Sequence, residues 1–320
     1  MNVLSLFDGI SCGRVALERA GIKVGKYYAS EIDKYAIQIT QKNYPDTIQL
    51  GDVEKIEGKK LKEIDLLIGG SPCQGFSKAG KQLNFIDPRS RLFFEYVRIL
   101  NEVKPKYFLL ENVRMKKEYQ DIITQYLGVE PIEINSALVS AQNRKRLYWT
   151  NIPGIEQPQD KRIMLIDIID DGLVDVDKAY CLLESYSRKC ATDSGWREYI
   201  KKSMGQLIVK EATIKGFTTI MKNQGVDLTF LTSKTRRGRK MEFKSNCLTH
   251  TRFDYCWFNG EDVRLLSPVE CERLQTLPDN YTQGISDKKR YSALGNGWTV
   301  DVIAHIFTSL AKEIELKEVI

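Results

Sequence analysis

Short apolar runs alternate with helical stretches through the first 150 residues, and most of the runs end in a turn of glycines, acids or small side chains. The runs lie at residues 3–7, 26–31, 48–52, 65–70 and 106–111. Helical patterns separate them at 14–20, 33–43 and 90–103. Gly21 supplies a residue free to take positive φ after the first helix. Asp33 and Ser90 stand where a side chain can accept orphan backbone N–H bonds at the start of the next two, and Pro45 cannot continue the second. A helix at 115–127 and strands at 131–136 and 146–150 complete this half. The alternation predicts an α/β domain with a parallel sheet and helices on both faces. In such sheets ligands sit at the carboxyl ends of the strands.

The pattern breaks near residues 151–155. From there to about residue 260 no alternation is legible, and an acidic stretch at 167–177 is followed later by the basic run Lys234-Thr-Arg-Arg-Gly-Arg-Lys240. This predicts a second, smaller and more irregular domain. A closing helix carries Val302, Ile303, Ile306, Phe307, Leu310, Ala311 and Ile314 on one stripe and is expected to dock on the first domain. The net charge of +6 is only a mild bias toward polyanions. Seven cysteines without a C-x-x-C pair and only two histidines exclude the usual zinc spacings, so no metal is expected. They also make a histidine-centred mechanism improbable. No apolar run approaches the roughly 18 residues of a membrane helix. No secretory signal is legible, so free thiols and a cytoplasmic location are expected.

The strand ends carry the chemistry. The first turn, Phe7-Asp-Gly-Ile-Ser-Cys-Gly13, has small residues between strand and helix, Glu31 ends the second strand and Asp52 the third. An acidic edge suits a nucleoside without phosphates, such as the sulfonium S-adenosylmethionine, or is simply a row of solvated carboxylates. After the fourth strand, Gly69-Gly-Ser-Pro-Cys-Gln-Gly-Phe-Ser77 puts Cys73 in a loop poorly suited to core packing. Glu111 stands on the fifth strand tip. A thiolate and an acid without a histidine base suit conjugate addition to an electron-poor ring. Gln142, Arg144 and Arg146 alternate, so in an extended segment they share one side. There they would hold a polar base or phosphates, or form a surface basic patch.

Taken in order, these segments resemble the DNA (cytosine-5)-methyltransferases. The resemblance is carried by Phe7-Asp-Gly9, Glu31, Gly51-Asp-Val53, Ser71-Pro-Cys-Gln74, Glu111-Asn-Val113, Gln142-x-Arg-x-Arg146, Arg264-Leu-Leu-Ser-Pro-Val-Glu-Cys-Glu-Arg-Leu-Gln275 and Gly295-Asn-Gly-Trp-Thr-Val300. Ser11 stands where the family usually has a second glycine. The wording of the first and last motifs is similar to the catalytic domains of eukaryotic de novo DNA methyltransferases, whereas Gln142 and Asn296 follow the bacterial pattern.

The resemblance implies a Rossmann-like S-adenosylmethionine-dependent methyltransferase sheet with a target-recognition domain. The catalytic domain is expected at 1–154, completed by 288–320, and the recognition domain at 155–287. Cys73 would attack cytosine carbon 6, Glu111 would face ring nitrogen 3, Arg144 would hold the base carbonyl, and Arg146 would orient the loop or a phosphate. The implied cofactor contacts are Phe7, Asp8, Gly9, Ile10, Ser11, Gly13, Glu31, Ile32, Asp52, Val53, Pro72 and Asn296. Double-stranded DNA would meet Gln74, Ser77, Lys234, Arg236, Arg237 and Arg239, with residues 74–91 closing over a flipped-out base. A monomer is expected, and the resemblance implies a place in restriction-modification. An RNA (tRNA) cytosine methyltransferase and a non-catalytic DNA-binding paralogue are the alternatives.

Overall fold

The structure is a computed structural model that describes residues 1–72, 88–170, 177–182, 207–209, 218–220, 225–227, 239–241, 255–256 and 266–318. The chain begins with β1 (Val3–Leu6), α1 (Cys12–Arg19), β2 (Tyr27–Ser30), α2 (Lys34–Asn43), β3 (Ile48–Gln49) and β4 (Leu66–Gly69). After α3 (Pro88–Val103) come β5 (Tyr107–Val113), α4 (Lys117–Leu127), β6 (Ile132–Asn135), β7 (Gln142–Asn143), β8 (Lys145–Thr150) and β9 (Ala179–Tyr180). The C-terminal part adds α5 (Pro268–Leu274), α6 (Asp287–Asn296) and α7 (Val300–Glu318).

Seven strands form one sheet in the order β3-β2-β1-β4-β5-β8-β6. The five strands from β1 to β5 are parallel. The sheet is not parallel throughout as the alternation predicts, because β8 runs antiparallel to both β5 and β6. The β6–β8 connection is too short for a helical crossover, and a short connection favours an antiparallel pair. Successive strand residues face opposite layers. Val3, Leu66, Ile68, Tyr107, Leu109 and Tyr148 pack in one core with residues of α1, α2 and α7. Leu4, Leu6, Leu67, Phe108, Leu110, Leu147 and Trp149 pack in the other with α3 and α4. Helices therefore cover both faces, as expected.

Local expectations hold where a capping group is present. The Asp33 carboxylate accepts from Tyr35 N at 2.8 Å, and Gly21 has φ 74°. Ser90 is different: α3 starts two residues earlier, at Pro88, so Ser90 lies inside the helix. Proline is at home in a first helical turn because its missing N–H has no partner there anyway. The third strand shrinks to Ile48–Gln49, since Asp52 caps a short 3-10 turn by accepting from Glu54 N. The return to the main core comes before residue 288: Cys271, Leu277 and Tyr281 sit in the same cluster as α1 and α7. A boundary at 287/288 would cut through that packing.

The first turn is built under constraint. Phe7, Gly9 and Ser11 all have φ near 57–58°. Left-handed backbone is cheap for glycine and costly for Phe and Ser. Ser11 offsets this with its hydroxyl, which donates to Asp8 Oδ2 at 2.5 Å and lies 3.0 Å from Thr40 Oγ1. Tyr27 Oη donates to the other Asp8 oxygen at 2.8 Å. Burial pushes the Asp8 pKa up to about 6, against the opposing hydrogen bonds from Ser11, Ser5 and Tyr27.

Two expectations follow. Phe307 is fully buried in the core that joins α7 to α1, so Phe307→Ala should cost about 3–5 kcal/mol in urea unfolding. Leu316, 64% exposed, should change stability by less than about 0.5 kcal/mol as Leu316→Ala. Folded Asp8 keeps its proton to about pH 6, whereas the ordinary value is 3.8. Between those values the folded state binds more protons than the unfolded one, so the Asp8 contribution to stability falls as pH rises through the window. Asp8→Asn lacks this titration. The stability of wild type relative to Asp8→Asn should fall between pH 4 and 6 and level off above, and a difference independent of pH would refute the assignment.

Candidate active site

The carboxyl ends of the parallel strands form one edge. Glu31, just past β2, is tied back into the first turn: its Oε2 accepts from Gly9 N at 2.8 Å, and its Oε1 accepts from Ile32 N and Asp33 N, both at 2.8 Å. Beside it Ile32 is 77% exposed, an apolar surface unusual next to a row of acids. Gly9 and Gly51 lie open at φ 58° and 74°, where a Cβ would meet nothing within 4 Å. Phe7 is half-buried at the end of β1. Ile10, Ser11 and Val53 turn their side chains into the protein, so they can offer a ligand only their backbone. The Asp8 carboxyl is directed to Ser11 and Tyr27. Pro72 and Asn296 are exposed, Asn296 as the last residue of α6.

Glu111 lies within β5, opposite Tyr148 of β8. Each of its oxygens has a donor: Arg146 Nε lies 3.0 Å from Oε1, and Trp298 Nε1 lies 3.2 Å from Oε2. The next residue, Asn112, points to the end of β4, with Nδ2 donating to Ser71 O at 3.3 Å. The chain leading into Ser71-Pro-Cys-Gln74 is thus tied to the strand that carries Glu111. Cys73 itself, with Gln74, Ser77 and the expected closing loop up to residue 87, lies outside the described residues.

Arg144 and Arg146 do not form a surface patch. Arg144, expected to hold the base carbonyl, is buried and spends its donors inside the protein. Nη1 donates to Leu182 O at 2.9 Å and to Cys181 Sγ at 3.3 Å, and Nη2 to Gly297 O at 2.9 Å. Arg146, expected to orient a loop or phosphate, is the arginine beside Glu111. Burial opposes the Arg146 charge, yet Cys181, Glu111 and Tyr148 around it raise its pKa above the ordinary value. Burial likewise opposes a Cys181 thiolate, but Arg144 and Arg146 outweigh it and hold the thiol below its ordinary pKa. Gln142 is fully buried, and its Nε2 donates to Leu274 O at 2.7 Å and Gln275 Oε1 at 2.9 Å. The shared side expected for Gln142, Arg144 and Arg146 is therefore an interior one.

Three residues of this constellation escape the sequence reading: Trp298, Cys181 and Gln275. Trp298 and Gln275 stand inside quoted motifs, but neither motif says that an indole meets Glu111 or that Gln275 bridges Gln142 and Thr299. Cys181 has no motif around it. Of the expected DNA contacts, Lys234, Arg236 and Arg237 lie outside the described residues. Arg239 opens a short strand, Arg239–Met241, that pairs antiparallel with Gly225–Asp227. Among the described residues no group of three His, Cys, Asp or Glu is arranged to hold a metal ion, and no helix is long and apolar enough to cross a membrane.

The family profile for C-5 cytosine-specific DNA methylase matches residues 1–312. The chain is 31% identical to the type II methyltransferase M1.ScrFI of Lactococcus lactis subsp. cremoris, over 98% of its own length and 79% of that protein's. It is 29% identical to the type II methyltransferase M.NlaX of Neisseria lactamica, over 95% and 94% of the two lengths. In fold it is similar to the Entamoeba histolytica methyltransferase EhMeth, with a TM-score of 0.67 at 17% identity, covering 98% of each chain. A match across nearly the whole chain, in line with the ordered motifs, places it in the C-5 cytosine-specific DNA methylase family, and the protein is a DNA (cytosine-5) methyltransferase.

Proposed function

We propose that the protein binds S-adenosylmethionine at the carboxyl ends of β1, β2 and β3 and methylates a cytosine flipped out of double-stranded DNA, with Cys73 as the nucleophile. The observation that carries the reading is Glu111, presented on β5 between Arg146 and Trp298 and tied through Asn112 to the segment that runs into Cys73. The residues present fit the cofactor. Glu31 is fixed at the ribose-binding position of such sheets, and exposed Ile32 with half-buried Phe7 offers apolar surface for a purine. The open turns at Gly9 and Gly51 let a ligand approach the backbone.

S-adenosylmethionine bound there supplies an electrophilic methyl group. Cytosine carbon 5 is too weak a nucleophile to accept it unaided. The Cys73 thiolate adds to carbon 6, and the ring electrons shift so that carbon 5 becomes enamine-like. Glu111 shares a proton with ring nitrogen 3 and accepts from the exocyclic amine, offsetting the charge that develops on addition. Arg146 faces the same pocket and takes the base-holding role, while Arg144 braces the pocket from behind. After methylation, solvent water takes the carbon 5 proton, the freed electron pair re-forms the carbon 5–carbon 6 double bond, and Cys73 departs as a thiolate, which restores the aromatic ring. Gln74 and Ser77, and Lys234, Arg236, Arg237 and Arg239 of the segment between the motifs, are assigned to DNA. The catalytic domain is drawn as 1–154 with the chain from about residue 266 onward, leaving the recognition domain between them. The protein acts as a monomer in the cytoplasm.

The test is methyl transfer from labelled cofactor to duplex DNA, with transfer RNA as the competing substrate. Cys73→Ser should abolish transfer while duplex binding survives, because a hydroxyl is a far weaker nucleophile than a thiolate at neutral pH. Glu111→Gln should lower the rate by about 10²–10⁴-fold. A target containing 5-fluorocytosine should trap a gel-stable adduct that Cys73→Ser does not form. Near wild-type turnover of Cys73→Ser would refute the covalent scheme, and labelling of transfer RNA in preference to the duplex would refute the substrate.

A further inference from the structure

The polar groups around Glu111 divide into those that face a substrate and those that face the protein. Arg146 is accounted for by the reaction. Trp298 is not: it belongs to no assigned contact, yet its ring is half-buried between three functional segments. Its indole N–H reaches Glu111 Oε2 at 3.2 Å. A Cβ on Gly70 would lie 3.0 Å from Trp298 Nε1 and 3.1 Å from Glu111 Oε2, and one on Gly13 would lie 3.5 Å from the far edge of the indole. The turn after β4 therefore leaves room for this ring at Gly70, and the first turn of α1 lies in contact distance of its far edge.

The backbone on both sides of Trp298 is clamped. Arg144 Nη2 donates to Gly297 O at 2.9 Å and, with Nη1, to Gly295 O at 3.4 Å. Gln275 Nε2 donates to Leu294 O at 2.7 Å and Gly297 O at 3.2 Å. On the far side, Thr299 Oγ1 donates to Gln275 Oε1 at 3.0 Å. A tryptophan that only filled space would need its ring held by packing, not the carbonyls of the segment leading into it held by an arginine and a glutamine.

We infer that Trp298 is a positioning residue for methyl transfer, whose indole N–H fixes the plane of the Glu111 carboxyl against the cytosine, with Arg144 acting as its clamp. The inference rests on the reading of Glu111 as the acid that faces the base. The terminal torsion of a glutamate is broad and two-fold, so one donor leaves the carboxyl free to swing. Arg146 on Oε1 and Trp298 on Oε2, reaching it from separate segments, leave one orientation. Indole nitrogen is a donor only. It therefore holds a carboxylate oxygen or a carboxyl carbonyl oxygen, and cannot take the proton that Glu111 shares with the base. The second arginine of the Gln142-x-Arg-x-Arg146 pattern then acts on Glu111 directly and the first through Trp298.

The experiment is a double-mutant cycle on the single-turnover rate of methyl transfer to duplex DNA, with binding of S-adenosylhomocysteine and of the duplex measured alongside. Trp298→Phe keeps an aromatic ring without the N–H. Replacement of Trp298 by benzothienylalanine keeps the shape of the indole with sulfur in place of the N–H, and so guards against a fold defect. Both should lower the rate roughly 10- to 100-fold, the scale of a hydrogen bond to a charged group, with both affinities unchanged. In a Glu111→Gln background neither should lower it further by more than about twofold. An unchanged rate in the single variants, or an equal fall in both backgrounds, would overturn the positioning role. Full activity of Glu111→Gln alone would overturn the reading of Glu111 and the inference with it, and is visible in that one variant.

Discussion

The reversal of strand direction at β8 is the constraint on which the site depends. In a fully parallel sheet each strand brings its last residues to the ligand edge and its first residues to the opposite edge. Because β8 runs against β5, Arg146 near its start pairs in register with Val113 at the end of β5. The cation of one strand thereby stands beside the carboxylate of the next, with Arg146 Nε 3.0 Å from Glu111 Oε1. A parallel β8 would carry Arg146 to the far edge of the sheet. The short β6–β8 connection therefore sets which side chains meet at this edge as well as the topology.

A buried polar network then joins segments far apart in sequence to this edge. Gln142, Gln275 and Thr299 bond to one another in the interior, Ser136 joins through Thr299, and Arg144 ties residues 181–182 to the 295–297 turn. Nearby, fully buried Glu272 accepts from Thr282 N and Asn280 N and pairs with Arg290 at 3.0 Å. Buried groups of this kind contribute little net stability for their number, because desolvation offsets much of their attraction. Their effect here is geometric. They hold the chain from 266 onward to the sheet, so that Trp298 arrives at Glu111 from a segment 187 residues away in sequence.

Much of the fold was legible because periodicity reports which residues are buried. Leu66 and Leu67 face opposite cores, as a strand covered on both sides requires, and Asp33 and Gly21 mark helix ends through their own chemistry. Strand direction leaves no such trace, so the antiparallel β8 was invisible. The different partners of Arg144 and Arg146 are hidden from the sequence for a related reason. An arginine bound to backbone carbonyls and one facing a carboxylate look alike in sequence, and the carbonyls that engage Arg144 belong to Leu182, Gly295 and Gly297. Spacing shows that the two alternate, and only the packing around them decides which one meets Glu111.

The serine in the first turn shows how a departure from a family pattern is absorbed. The position needs left-handed backbone, φ 57° at Ser11, which glycine adopts without a steric penalty. Ser11 meets the need by placing its hydroxyl between Asp8 and Thr40, hydrogen bonds that a glycine cannot make. The same contact draws the Asp8 carboxyl inward, where Tyr27 completes its hydrogen bonding and burial raises its pKa to about 6. Glu31, bonded to Gly9 N across the turn, is then left as the acid at the ligand edge. The serine therefore does more than tolerate a glycine conformation. It helps divide two neighbouring acids, with the Asp8 carboxyl turned to Ser11 and Tyr27 and Glu31 held against the backbone of the turn at the carboxyl edge of the sheet.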